Sequence, residues 1–374
     1  MSQERAYWLA WSQIKGIGAT LLPRIQQHFG SLEQAWGASA QELAEVAGLG
    51  QVNVSKIMPQ RAQINPDLLL EQHQEANPHF WTPSDPEYPS LLLEIPSPPA
   101  LLYYRGQVDL AENSGQKPVI AIVGTRYPTK YGRDWTKRIS KFLTQQGFTI
   151  ISGMAAGIDT EAHQACLAAT GRTIAVLGTG LDLVYPPSNQ KLYQAIFENG
   201  LIVSEYPQGT QPSRGNFPAR NRIIAGWSRA VLIMEAPQRS GALITARFAN
   251  EFCRDVYVLP GSLNNQQAIG CLNLLNSGAH VILGETELLE MLAIMPKLDP
   301  KLDLQSVSKP DKALPKDLEP QLAQILGAIQ NQHHSLDAIA EITKIETGTL
   351  LASLAQLEIM GLVAQRPGMH YELN

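Results

Sequence analysis

The chain has 374 residues, 44% of them hydrophobic and 17% charged, the balance of a soluble globular protein with room for two or three domains. No apolar run approaches the ~20 residues a membrane span needs, and MSQERAYWLAWSQIKG at the start carries Glu4 and lacks a signal-peptide core, so a cytoplasmic protein is expected. The net charge of −5 argues against general polyanion affinity.

That average hides a segregation. Residues 66–116 hold one basic and eight acidic residues, whereas 117–295 hold 16 basic and 12 acidic. Within the second span, 117–141 sets seven basic residues against Asp134 alone, and 214–254 sets seven arginines against Glu235 and Glu251. Two basic clusters on an acidic chain point to a local anionic ligand. Cys166, Cys253 and Cys271 form no CxxC pair, so neither a disulfide framework nor a zinc site is expected, and all three read as buried structural thiols.

In chain order, residues 1–65 read as short helices. IKGIGATLLPRIQQHFG and VAGLGQVNVSKIM each place a Gly-x-Gly turn before a helical run, the pattern of a helix-hairpin-helix or SAM-like domain. Such turns can offer backbone N–H groups to phosphate, and a purely structural role fits equally well. Residues 66–116 are expected to form an extended connector leading into a sheet: TPSDPEYPSLLLEIPSPPALLYYRG is proline-rich, and Leu101–Tyr104 reads as a short strand. From 117 to 295, the runs VIAIVG, FTIIS, TIAVLG, LIVSE, AVLIME and DVYVLP alternate mostly with helical patterns. This predicts an α/β domain, a doubly wound, extended Rossmann-like parallel sheet covered on both faces. Residues 296–319 read as a Pro/charged linker, and 320–374 as three helices and a hairpin, resembling a winged helix-turn-helix.

In such a sheet, ligands bind beyond the carboxyl ends of the strands. There the chain places Gly124-Thr125-Arg126, then Ser152-Gly153 through Gly157 to Asp159, and later Ser240-Gly241 before a helix at Ala242. Glycines let a ligand approach the backbone, and helix N-termini offer free N–H groups. In GNFPARNRIIAG, Arg220 and Arg222 flank Asn221 near the start of a helix, where a cation is disfavoured unless an anion binds. No GxGxxG follows the first strand and no GxxxxGK[ST] occurs, so dinucleotide binding and P-loop chemistry are disfavoured and no cofactor is expected.

The helix after Arg126 carries Tyr131, Trp135, Ile139 and Phe142 on an expected core face. Lys130, Arg133, Lys137 and Lys141 lie on another, either a solvated face or an auxiliary track for a nucleic-acid backbone. Tyr127 is either a base-stacking or a core residue. Asp159 and His163 sit near Ser152 without the arrangement of a hydrolase triad. Asp159 is expected to cap the following helix, both are expected to shape the pocket, and no catalytic or metal-binding set is assigned.

The motifs AIVGTRYPTKYG, SGMAAGIDTEAH, TIAVLGTGLDLVYPPSN, LIVSEYP, FPARNRIIAGWSRAVLIMEAPQRSGALITARFA, DVYVLPGSL and GCLNLLNSGAHVI resemble, in number and order, the DprA/Smf (DNA-processing protein A) family in its three-domain form. The resemblance runs continuously over about 85–280 and implies a non-enzymatic protein. Such a protein binds single-stranded DNA in a basic pocket of the Rossmann-like domain, protects incoming DNA in natural transformation, and helps to load the RecA recombinase. It implies a homodimer through that domain. It also implies Arg126 as the leading DNA contact, with Gly153 to Asp159, Arg220, Asn221 and Arg222 lining the same pocket and Lys191 as a further phosphate contact. Thr125 stands where Ser is common, and Asn273 is spaced differently from some members.

Residues 320–374 set Lys344 and Arg366 against five acidic residues, poor for gripping phosphate. A protein-contact or self-association role is therefore expected for that domain. Two other readings stay open. One is a nucleotide phosphoribohydrolase-like enzyme, although LPGSLNNQQ lacks that group's glycine-rich loop and glutamate. The other is a transcription regulator acting through the winged helix.

Overall fold

The computed structural model describes residues 2–293, 320–329, 334–360, 362–366 and 370–373. The linker expected at 296–319 lies outside the described residues. The chain divides into two compact units, Met1–Lys301 and Leu302–Asn374. No helix among the described residues is long and apolar enough to cross a membrane.

The first unit opens with helices α1 (Ser2–Ser12), α2 (Leu21–Phe29), α3 (Leu32–Gly37), α4 (Ala40–Ala44) and α5 (Gly50–Arg61). Trp8, Trp11, Leu22, Ile25, Leu32 and Leu43 form their core. The turns before α2 and α5 need glycine, since Gly16 and Gly48 have φ of 94° and 92°. Leu9 reaches out of this core to pack with Phe80 and Tyr103 of the sheet.

Residues 66–116 differ from the extended connector expected of them. Pro66–Ala76 is helix α6, whose N-cap Asn65 accepts from the N–H groups of Asp67 and Leu68. Short helices α7 (Ser90–Leu93) and α8 (Leu110–Asn113) follow, and β1 (Phe80–Trp81) and β2 (Leu102–Gly106) pair antiparallel at one edge of the sheet. The proline signal marked breaks between elements, not one extended run.

The remaining strands are β3 (Val119–Val123), β4 (Thr149–Ser152), β5 (Thr173–Leu177), β6 (Leu201–Ser204), β7 (Ala230–Ile233), β8 (Asp255–Val258) and β9 (His280–Val281). The order is β1-β2-β6-β5-β4-β3-β7-β8-β9, parallel from β6 to β9. Both faces are apolar because both are covered. Val119, Ala121 and Val123 point to one face with Ile223, Ile224 and Trp227 of α12 (Asn216–Trp227) and Ala242 and Ala246 of α13 (Ala242–Glu251). Ile120 and Ile122 point to the other with Ile139 and Leu143 of α9 (Lys130–Gln145), Ile158 and Ala162 of α10 (Ile158–Ala168), and Leu288 of α15 (Glu285–Ala293). Helices α11 (Gln190–Asn199) and α14 (Ile269–Asn276) complete the unit. The chain winds from β3 toward β6, then restarts at β7 on the opposite side of β3. The sheet therefore has its topological switch point between β3 and β7.

In the second unit, α16 (Pro320–Ile329), α17 (Leu336–Thr343) and α18 (Thr347–Ile359) pack through Ile325, Ile339, Leu350 and Leu354. Strands β10 (His334–Ser335), β11 (Val363–Arg366) and β12 (His370–Leu373) form a small sheet in the order β10-β12-β11. This is the winged-helix arrangement read from the sequence.

Two expectations need correction here. Cys166 and Cys271 are buried, but Cys253 is exposed and has φ 56°, because it turns the chain out of α13. On α9, Ile139 is buried, but Tyr131 is 42% exposed, its hydroxyl donating to the Pro260 carbonyl at 3.1 Å.

Candidate functional site

A cleft of about 530 Å³ opens at the switch point. The β3 end supplies Gly124, Thr125, Arg126 and Tyr127. The start of α12 supplies Phe217, Pro218, Arg220 and Asn221, and the turn into α13 supplies Arg239, Ser240, Gly241 and Thr245. Tyr185, Arg214 and Asp159 complete its charged and aromatic lining.

The lining thus holds four arginines and one buried carboxylate. Arg126, Arg214 and Arg239 are exposed, and none takes part in an ion pair among the described residues. The Arg126 guanidinium lies 5.8 Å from the centre of the Phe217 ring, which in turn lies 5.3 Å from that of Tyr185. One cation and two adjacent aromatic rings thus lie side by side on the wall. Tyr127, beside Arg126, is 82% exposed and so is no core residue.

The Arg126 loop is held from behind. The Thr125 N–H donates to the Glu235 carbonyl at 2.7 Å, and the Thr125 hydroxyl donates to Gln267 at 3.2 Å. The Glu235 carboxylate accepts from the Thr129 N–H and hydroxyl at 2.7 and 2.6 Å and from Asn265 at 3.1 Å. Gly132 fits there because any side chain would strike that carboxylate. The turn between β4 and α10 presses on the same loop. Gly157 has φ 84°, and an added Cβ would stand 2.5 Å from the Thr125 oxygen.

Of the residues read from the sequence, Gly124, Thr125, Arg126, Arg220, Asn221, Ser240 and Gly241 converge on the cleft. Others do not line it. Arg222 turns away, with its guanidinium on both oxygens of Glu205 (2.7 Å to one) and on the Ser97 carbonyl at 3.0 Å. Burial works against its charge, Glu205 more than offsets this, and its pKa is raised. The Ser152 hydroxyl is buried and donates to the Ile122 carbonyl at 2.6 Å. Gly153 sits behind the wall, where an added Cβ would stand 2.5 Å from the Arg220 guanidinium. Gly157 buttresses the cleft without lining it, and Lys191 is exposed on α11 outside the lining set.

Asp159 is not the N-cap of α10. That position is Gly157, and the Asp159 carboxylate folds back to accept from the Gly153 and Ala155 N–H groups at 3.1 and 3.3 Å. Burial raises its pKa, and Arg220 opposes the rise. His163 is fully buried with Nδ1 on the Thr173 hydroxyl at 2.7 Å. Burial, with Arg220 nearby, depresses its pKa to about 3.

Lys130, Arg133, Lys137 and Lys141 all lie exposed along α9. Lys137 is engaged by Glu161 at 3.2 Å, and Arg133 donates to the Pro128 carbonyl at 2.8 Å.

Arg214, Arg239, Phe217 and Tyr185 were not singled out from the sequence. A signal existed for the arginines: QPSRG and PQRSG each set an arginine within two residues of a glycine in a polar loop, as GTR does at the first strand. The aromatics gave none, because their shared wall is built by distant segments.

Residues 79–293 match the family model for DNA recombination-mediator protein A, and 309–369 match that for the DprA winged helix domain. The chain is 54% identical to the protein Smf of Synechocystis sp. over 99% of each chain. It is 41% identical to the DNA processing protein DprA of Streptococcus pneumoniae over 64% of this chain and 82% of that one. The X-ray structure of that pneumococcal protein superposes with a TM-score of 0.67 at 34% identity, covering 78% of this chain and 98% of the other. A structure of DNA processing protein A from Helicobacter pylori, solved for its unique single-stranded DNA binding mode, gives 0.52 at 33% identity, covering 57% and 95%.

Proposed function

Because this chain belongs to the DprA/Smf family of DNA-processing proteins, we propose that its switch-point cleft holds single-stranded DNA by the sugar-phosphate chain. The observation that carries the reading is the convergence of Arg126, Arg214 and Arg239, exposed and outside every ion pair among the described residues, on one wall with Phe217 and Tyr185. Guanidinium groups neutralise phosphates, and aromatic faces stack bases without regard to sequence. The Helicobacter pylori relative's single-strand binding supports the same ligand here.

Binding, not catalysis, is the proposed activity. The Ser152 hydroxyl donates to the Ile122 carbonyl beside the Asp159 carboxylate, and the His163 imidazole Nδ1 is engaged by Thr173, not by Ser152, so the three do not form a serine–histidine relay through that nitrogen. Recombination mediation follows: a cytoplasmic protein that protects incoming DNA and passes it to RecA, acting as a homodimer through the Rossmann-like domain. The family resemblance supports these roles. Arg126, Arg214, Arg239, Asn221 and the backbone at Gly124, Ser240 and Gly241 are the proposed DNA contacts, with the α9 lysines as an auxiliary track.

The test is fluorescence anisotropy with a labelled oligonucleotide. Arg126→Ala is expected to weaken binding more than about tenfold, since a charge-assisted bond contributes about 1.5–3 kcal/mol. The slope of log affinity against log salt should shrink by ~0.7 for each phosphate that is no longer neutralised. Parent-like affinity in a folded Arg126→Ala protein rejects the site.

A further inference from the structure

Arg220 lines the cleft yet is only 4% exposed, and its Nε and one terminal nitrogen are engaged inside the fold. One terminal nitrogen donates to the Gly153 carbonyl at 2.7 Å and also to the Val176 carbonyl, and Nε donates to the Asn221 amide oxygen at 3.2 Å. Its guanidinium thus ties the carboxyl ends of β4 and β5 together from below. Each of those partners is an amide oxygen, so each bond fixes direction without cancelling the charge.

From that tie a chain of short contacts leads to the cleft mouth. Arg220 holds the Gly153 carbonyl, while Asp159 holds the Gly153 and Ala155 N–H groups of the same turn. At the far end of the turn, Gly157 sits against the Thr125 oxygen and the Arg126 carbonyl, and the Ile158 N–H donates to the Thr125 oxygen at 3.2 Å. Resting on the single-stranded DNA reading of the cleft, we propose that Arg220 is a positioning residue. With Asp159 it sets the 153–158 turn, and that turn sets the loop from which Arg126 meets a phosphate. The sequence made Arg220 a direct contact. The geometry gives it an indirect role, which only a planar fork reaching several oxygens can fill.

A double-mutant cycle separates the two roles. Arg220→Lys keeps the charge and loses the fork. Arg126→Ala removes the proposed contact. Affinity of the full chain for a labelled oligothymidylate is measured in the parent, both single variants and the double variant, with thermal melting alongside. Positioning predicts that Arg220→Lys costs roughly fivefold or more in the parent and less than about twofold once Arg126 is gone, because the two act through one contact. An equal cost in both backgrounds makes Arg220 an independent contact and overturns the proposal, as does parent-like binding by a folded Arg220→Lys. Should that variant fail to fold, Asp159→Asn enters the same cycle under the same criteria. Parent-like binding by Arg126→Ala rejects the cleft itself. A cost of Arg220→Lys that persists undiminished in the Arg126→Ala background rejects the positioning role alone.

Discussion

His163 shows how far burial moves a single group. Its ordinary value of 6.5 falls to about 3 because the folded protein cannot hydrate the imidazolium. The unfolded chain therefore takes up a proton between those values while the folded chain does not. The associated stability is fully present above pH 6.5 and is lost as pH falls toward 3. The slope is at most about 1.4 kcal/mol per pH unit. Denaturant unfolding at a series of pH values should show a shallower decline over this range in His163→Gln, and an unchanged decline would refute the assignment.

Residue type was legible in the sequence, but direction was not. Arg220 and Arg222 are two apart, so on a helix their side chains diverge by about 200°. One goes under the cleft and the other to Glu205 and Ser97 on the far flank. The positive end of a helix dipole suggested an anion for both. Arg222 found its anion within the chain. Lys191 lay in a suggestive motif, but it stands on α11, outside the residues that line the cleft.

Among the elements, the six long strands and the helices between them were legible because a sheet covered on both faces demands unbroken apolar runs. Strand β2 was read at Leu101–Tyr104, but helix α6 and the partner strand β1 were hidden by proline, which breaks extended structure and also starts helices. The turn between β4 and α10 announced itself by glycine alone. At Gly157 the φ of 84° and ψ of −126° lie in a region only glycine enters freely. Gly157→Ala is expected to cost roughly 1–3 kcal/mol of stability from backbone strain, more with the clash against Thr125. It should lower the melting temperature and weaken DNA binding together. A variant that melts like the parent would show that the turn adapts.

At the scale of the whole molecule, strand order could not be read, because pairing of β3 with β7 joins segments about a hundred residues apart. The winged helix is the other whole-molecule question. No Lys or Arg lies on α18, where winged helices that grip DNA gather cations. Removing residues 320–374 should leave single-strand affinity within about twofold, since the remaining unit keeps the cleft and all its arginines. A tenfold loss, measured by the same anisotropy assay, would instead give that unit a share in DNA binding.

Helix α12 is anchored on both flanks, by Arg220 to two strand ends and by Arg222 to Glu205 and Ser97. A strut braced in this way has little freedom left to lose when a strand arrives. Capture should then be governed by how often the two molecules collide in the right orientation, with no slow rearrangement to wait for. Differences in grip among bound sequences or among variants of the exposed arginines should appear as differences in residence time.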